Sequence, residues 1–278
     1  MTLEDAYATC RRLHRAHGRS FYLATRLLPS YKRPAVHALY GFARWCDEIV
    51  DDLGSTLTTE EKSVELERFV RTTLDGSNGH DVAVALRDTM QRWDIPAAHV
   101  EAFLRSMQMD LTTSTYKTYD ELLGYTHGSA AVIGLQMLPV LEAVVPLEVA
   151  APYAADLGLA FQLTNFLRDV GEDLQRDRVY LPLEDLDAFG VTVEQLHDGV
   201  VDARFRRLMA FEVARTRETY RVAEQGIRLL HPSSRRCITI AFRLYGGILD
   251  AIERADYQVL DRRVRVSPLR RAGILLAV

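Results

Sequence analysis

A chain of 278 residues with 48% hydrophobic side chains is long enough to bury one large core or two small ones. Its 34 basic and 38 acidic residues leave a net charge of -4, which excludes bulk attraction to nucleic acid or to an anionic membrane; any anion site must be local. Three cysteines, Cys10, Cys46 and Cys237, are an odd number without metal-type spacing, so they read as reduced thiols of a cytoplasmic protein.

Met1-Thr2-Leu3-Glu4-Asp5 places acids where a secretory signal carries bases ahead of an apolar run, so no export is expected. Apolar residues recur at three- and four-residue spacing through most of the chain, and strand-like alternation is scarce, which predicts an all-α protein. Long helices are expected near 34–52, 60–74, 97–111, 119–144, 148–173, 202–230 and 233–254. Thr58 and Glu61 make a capping-box pair, Pro96 suits the first turn of the helix after it, and Gly76-Ser77-Asn78-Gly79 marks a loop. The most apolar stretch, 130–147, is interrupted by Gln136, Pro139, Glu142 and Pro146, which suits a buried helix better than a membrane span. Segments 176–182 and 186–193 read as ordered connections rather than a domain boundary, so residues 1–278 are taken as a single domain.

Two of the expected helices carry polar stripes. At about 100° per residue, Tyr40, Arg44, Asp47 and Asp51 share a sector of roughly 60°. Gln162, Asn165, Asp169 and Asp173 share one of about 80° by the same geometry. The second stripe interrupts a helix otherwise built of Leu157, Leu159, Phe161, Leu163, Phe166, Leu167 and Val170, as expected of polar residues lining an interior cavity. Aspartates at i and i+4 repel each other and are poor helix-interior residues, so each pair costs stability unless a cation sits between them. A single such pair reads as an incidental solvated face. Two pairs, each with amide or hydroxyl neighbours on the same face, suit Mg²⁺ shared with a diphosphate substrate, with Mn²⁺ as the alternative ion. A metal-bound diphosphate is a good leaving group, because cations neutralise the charge that develops on the departing oxygens.

The order of these blocks resembles the squalene/phytoene synthase family over nearly the whole chain. His17-Gly18-Arg19-Ser20-Phe21 is similar to its N-terminal phosphate-contact segment, with Gly18 where many members carry serine. Residues 40–52 resemble its first aspartate motif and residues 162–173 its second, followed by Arg178-Val179-Tyr180-Leu181-Pro182. Residues 125–134 resemble the central tyrosine helix, and residues 245–250 and 257–262 the C-terminal block.

The resemblance implies a helical isoprenoid synthase fold with a central cavity and a two-step, head-to-head condensation of two prenyl diphosphates. It implies metal contacts from Asp47, Asp51, Asn165, Asp169 and Asp173, the four aspartates being catalytic together with Tyr125, which would handle the proton near the cation. Diphosphate contacts are implied for Arg19, Ser20, Tyr40, Arg44, Gln162, Asn165, Arg168, Tyr245 and Arg262. Phytoene from two geranylgeranyl diphosphates, without NADPH, is the favoured product. The alternatives are a squalene, dehydrosqualene or hydroxysqualene synthase using two farnesyl diphosphates, a catalytically silent assembly protein, and an aspartate-rich terpene cyclase.

Other residues carry plainer readings beside these. Arg44 is equally an ion-pair partner of the neighbouring acids, and Tyr125 a hydrogen-bonded core tyrosine. Gly128, Ser129, Ala130, Ala131 and Gly134 leave room for a prenyl chain or for another helix. His14 and His17 lack a third metal ligand, and Cys46 is read as a packed thiol. Arg262, Arg263, Arg265, Arg270 and Arg271 read as a solvated charged tail, with peripheral contact to lipid headgroups as the alternative.

Overall fold

The structure is a computed structural model that describes residues 2–52 and 54–276. Its helices are α1 (Leu3–His17), α2 (Arg19–Thr25), α3 (Arg33–Asp51), α4 (Thr59–Asp75), α5 (Asp81–Trp93), α6 (Ala97–Met109), α7 (Tyr119–Thr126), α8 (Val132–Leu141), α9 (Leu147–Leu174), α10 (Leu183–Phe189), α11 (Val193–His197), α12 (Ala203–Ile227), α13 (Pro232–Arg254) and α14 (Pro268–Leu276). Among the described residues there is no strand, only the isolated bridges Thr115 to Val179 and Ala143 to Leu230. The expected all-α class is therefore what the chain forms.

Six helices lie outside the expected set of long helices: α1, α2, α5, α10, α11 and α14. Helix α1 opens on a capping box in which the Thr2 hydroxyl accepts from the Asp5 amide and the Asp5 carboxylate accepts from the Thr2 amide, the shorter aspartate doing what glutamate usually does. Helix α5 buries Val82, Ala83, Ala85, Leu86 and Thr89 at helical spacing. The expected Thr58 and Glu61 box opens α4, and Gly76, at φ +84, closes it in the left-handed conformation that glycine adopts without penalty.

The expected continuous helix over 119–144 is broken. Helix α7 passes into a π-helical turn at His127–Ala131 before α8 begins. The Ser106 hydroxyl donates to the Tyr125 carbonyl at 2.8 Å, and a Cβ on Gly128 would stand 2.1 Å from that hydroxyl. Helix α6 thus presses against this turn and takes up one of its backbone acceptors, which suits a local widening. Helix α8 stops at Leu141 because that carbonyl is taken by the Lys32 ammonium at 2.9 Å and the Ser234 hydroxyl at 2.6 Å.

The 28-residue helix α9 packs against α8, α12, α13 and the π-turn. Its approach is close because the facing residues are small. A Cβ on Gly134 would meet the Ala154 carbonyl at 2.0 Å, and one on Gly158 the Ala130 carbonyl at 2.3 Å. Helix α3 buries Ala35, Val36, Ala38, Leu39, Phe42, Cys46 and Val50, which leaves its polar stripe for the other side. The three cysteines are free and buried. Among the described residues no helix is long and apolar enough to cross a membrane.

Candidate active site

On α3, Tyr40, Arg44, Asp47 and Asp51 occupy successive turns, and on α9 so do Gln162, Asn165, Asp169 and Asp173. One arginine joins the two stripes. The backbone amide of Arg178, just beyond α9, donates to the Asp173 carbonyl at 3.0 Å. Its guanidinium reaches across to the Asp51 carboxylate at 2.9 Å and to the Asp110 carbonyl at 3.2 Å.

The carboxylates around this junction are charged at a cost. Burial pushes Asp47 up to about 7, with the neighbouring negative charge of Asp51 adding to the effect. Burial, followed by the charge of Asp169, pushes Asp173 up to about 7, and Asp51 on the opposite helix contributes in the same direction. Asp51 and Asp173, on opposite helices, therefore disfavour each other's charge.

Asp169 is occupied differently. Its carboxylate is gripped by Arg168, with Nε 2.7 Å from Oδ1, and by Arg263, with Nε at 2.9 Å. Arg263 also reaches Glu172 at 3.2 Å. Arg44 pairs with Glu48 at 3.1 Å rather than with an aspartate. Gln162 accepts from the Asn165 side-chain amide at 3.4 Å, which leaves the Asn165 carbonyl oxygen buried and without a partner.

That orphaned oxygen is the observation that tests a metal site here. An amide oxygen with nothing to accept from, beside carboxylates whose charge is disfavoured by burial and then by neighbouring acids, is a donor set fitted to a hard cation. Among the described residues no three acidic, histidine or cysteine side chains already converge on one point. Mg²⁺ suits such an arrangement, since it takes one or two carboxylates and completes its shell with water and substrate phosphate.

Beside the acids stands an aromatic cluster. Tyr125 is buried, and its hydroxyl donates to one oxygen of Asp110 at 2.8 Å, while the Tyr180 hydroxyl donates to the other at 3.1 Å. Phe166 stacks on Tyr180 with centroids 4.1 Å apart, and Tyr116 and Tyr125 lie 5.2 Å apart. Burial raises Asp110 to about 6, moderated by the Tyr125 hydrogen bond.

An apolar cavity of about 210 Å³ runs between α2, α3, α8, α9, α12 and α13. Tyr40 and Phe161 belong to its wall; Arg44 and Asn165 stand one turn further along the same helices. Gly134 and Gly158 also line it, so the small residues serve both the close helix contact and the open space. Tyr245 stacks on Phe21 and lies tilted against Phe161, with centroids 4.6 Å apart in each case.

The expected site residues are thus divided by the structure. The two stripes, Tyr125, Arg168 and Tyr245 surround one region. Ser20 follows Arg19 at the start of α2 and is half-buried, whereas Arg19 is exposed and lines an outer groove. Arg262 is exposed, and its neighbour Arg263 holds Asp169. The tail is not simply solvated, because Arg263 is tied to α9 and Arg270 to Asp250. Sequence reasoning did not single out Asp110, Arg178, Tyr180 or Arg263 as site residues. Arg178 and Tyr180 stood in a quoted motif, but Asp110 ends α6 in a segment whose sequence carries no signal at all.

Fold and site together define a helical isoprenoid synthase. The amino-acid sequence matches the squalene/phytoene synthase family over residues 14–270. It is 39% identical over 277 residues to a phytoene synthase of Arthrospira platensis, covering 95% of this chain and 89% of that one. It is 39% identical over 275 residues to a 15-cis-phytoene synthase of Synechocystis sp., covering 95% and 82%. A crystal structure of a dehydrosqualene synthase in complex with ligand superposes with a TM-score of 0.91 at 27% identity, covering 99% of this chain and 95% of that one. The chain belongs to the squalene/phytoene synthase family.

Proposed function

We propose that this protein is a prenyltransferase that condenses two geranylgeranyl diphosphates head to head to phytoene, by way of a cyclopropylcarbinyl diphosphate. The observation that carries the chemistry is the meeting of two acidic helices across Arg178, beside an apolar cavity. The product assignment is supported by the phytoene synthases to which the chain is 39% identical.

In the first step the allylic carbon–oxygen bond of one substrate ionises and diphosphate departs. The cation is attacked by the double bond of the second substrate, and loss of a proton closes the cyclopropane. The second step expels the remaining diphosphate, and the rearranged cation loses a proton to give the triene. Asp47, Asp51, Asn165, Asp169 and Asp173 would hold Mg²⁺ or Mn²⁺, which supplies neutralisation of the charge on the departing oxygens. The guanidinium of Arg168 offers the bidentate geometry that phosphate accepts. Tyr40, Arg44, Gln162 and Tyr245 stand along the same route from the acids to the cavity.

Proton handling falls to Tyr125 and Asp110. With its own proton donated to Asp110, the Tyr125 oxygen is free to accept one, while the Asp110 carboxylate takes the proton that Tyr125 gives up. The ring faces of Tyr116, Phe166 and Tyr180 supply negative potential to a passing carbocation without reacting with it. No nicotinamide enters this sequence, because each cation is quenched by proton loss.

The dehydrosqualene synthase fold match keeps one other reading open, in which two farnesyl diphosphates are used. Purified protein supplied with Mg²⁺ and either geranylgeranyl or farnesyl diphosphate, with and without NADPH, tests both. A C40 hydrocarbon formed faster than any C30 product, and unchanged by NADPH, is the expected result. Preferred use of farnesyl diphosphate would overturn the product assignment.

A further inference from the structure

On the outer side of α2 lies an open groove of about 850 Å³, separate from the acidic stripes. Arg11, Arg15, Arg19, Arg26 and Arg33 line it, and no aspartate or glutamate does. Glu4 comes in only beyond it, in an adjoining hollow that Arg11, Arg12 and Arg15 share. Several arginines elsewhere in the chain are paired. Arg44, Arg68, Arg92, Arg178, Arg217 and Arg221 each reach a carboxylate. Among the described residues none of the five groove arginines forms an ion pair; Arg11 donates to the Tyr22 hydroxyl at 3.3 Å and Arg33 to the Leu28 carbonyl at 2.7 Å. In a chain of net charge -4, five uncompensated cations in one concavity are a strongly positive local field that calls for an anionic partner.

The position of the groove says which partner. Helix α2 is the partition between it and the apolar cavity. Phe21 and Ala24 face the cavity, Tyr22, Leu23 and Arg26 face the groove, and Thr25 lines both. Leu23 is 44% exposed amid the arginines, an apolar side chain among cations, as at the headgroup level of a bilayer. We propose that this groove seats the protein on an anionic lipid bilayer, the arginines taking lipid phosphates and α2 bringing the wall of the apolar cavity against the membrane. The purpose rests on the proposed hydrocarbon product, which would leave through that wall into lipid rather than into water. The docking itself does not depend on what the product is.

Co-sedimentation with vesicles, in the absence of substrate, separates the two. Wild-type protein is expected to bind phosphatidylcholine vesicles containing phosphatidylglycerol, to release as salt is raised, and to ignore pure phosphatidylcholine. The triple variant R11Q/R15Q/R26Q is expected to bind about a hundredfold more weakly, from the several-fold that each basic residue contributes near an anionic surface, while keeping its turnover in detergent. R68Q/R71Q/R221Q, which removes the same charge from other faces, is expected to bind like the wild type. Equal losses in the two triple variants would overturn the proposal, because only net charge would then matter. It would equally be overturned if wild type and R11Q/R15Q/R26Q sediment alike, or if inorganic diphosphate binds in a groove-dependent way while vesicles do not.

Discussion

At the scale of single residues, the acids at the junction of α3 and α9 store unfavourable charge. Asp47→Asn is expected to lower turnover by at least about a hundredfold with the helical circular dichroism unchanged, since charge at the leaving group governs the barrier. The pH dependence gives an independent check. Asp47 has its folded pKa raised to about 7 by burial first and then by Asp51, so below the ordinary aspartate value it is protonated in both states and costs nothing. As pH rises from about 4 through 7, the unfolded chain gives up this proton before the folded one, and the residue destabilises the fold increasingly. The melting temperature of metal-free Asp47→Asn minus that of wild type should therefore grow across pH 4 to 8. A constant difference would show that Asp47 does not titrate abnormally. Tyr125→Phe removes one hydroxyl and leaves the ring packed; kcat should fall about a hundredfold with KM little changed. If kinetics and product distribution stay the same, Tyr125 is a structural partner of Asp110 and nothing more.

At the scale of elements, the close crossing of α8, the π-turn and α9 is what sets the site's width. Gly158 has no room for a side chain, because a Cβ there would lie 2.3 Å from the Ala130 carbonyl. Gly158→Val should cost about 3 kcal/mol or more by overpacking against backbone that cannot yield. Gly124, within α7, meets nothing within 4 Å, and Gly124→Ala should be neutral or stabilise by up to about 1 kcal/mol through helix propensity. Urea unfolding of the two variants compares them directly, and similar midpoints would mean the glycines are interchangeable. The π-turn belongs to the same contact. Ser106 on α6 holds the Tyr125 carbonyl, so the element that carries Tyr125 is positioned by a helix more than ten residues earlier in the chain.

At the scale of the molecule, function requires the charged junction and the apolar cavity together. Removing divalent metal with EDTA should abolish turnover, with recovery on adding Mg²⁺ or Mn²⁺; full activity in EDTA would leave the two stripes without their assigned purpose. The cavity should decide substrate length. Ala223, on α12, lines it, and Ala223→Leu should lower kcat/KM for geranylgeranyl diphosphate at least about tenfold more than for farnesyl diphosphate, because each methylene denied burial forfeits about 0.8 kcal/mol. Competition between the two substrates reads this ratio, and an unchanged ratio would place the chain terminus elsewhere.

The sequence by itself determined the all-helical class and both polar stripes, because helical periodicity is local: Asp47 and Asp51, or Asp169 and Asp173, share a face whatever else the chain does. The Thr58 and Glu61 cap was legible for the same reason. The motif order was also enough to indicate the family, since five blocks along one chain are more specific than any single pattern. Only the tertiary structure decided what lies opposite each stripe. That Arg178 spans to Asp51, that Asp110 receives both Tyr125 and Tyr180, and that Arg263 holds Asp169 are contacts between residues 127, 15, 70 and 94 positions apart, and periodicity carries no information across such distances. The same holds for Arg19. Its neighbours in sequence aligned it with phosphate contacts, but the rotation of the seven-residue helix α2, set by packing of Phe21 and Ala24 into the cavity wall, turned its side chain to the outer groove.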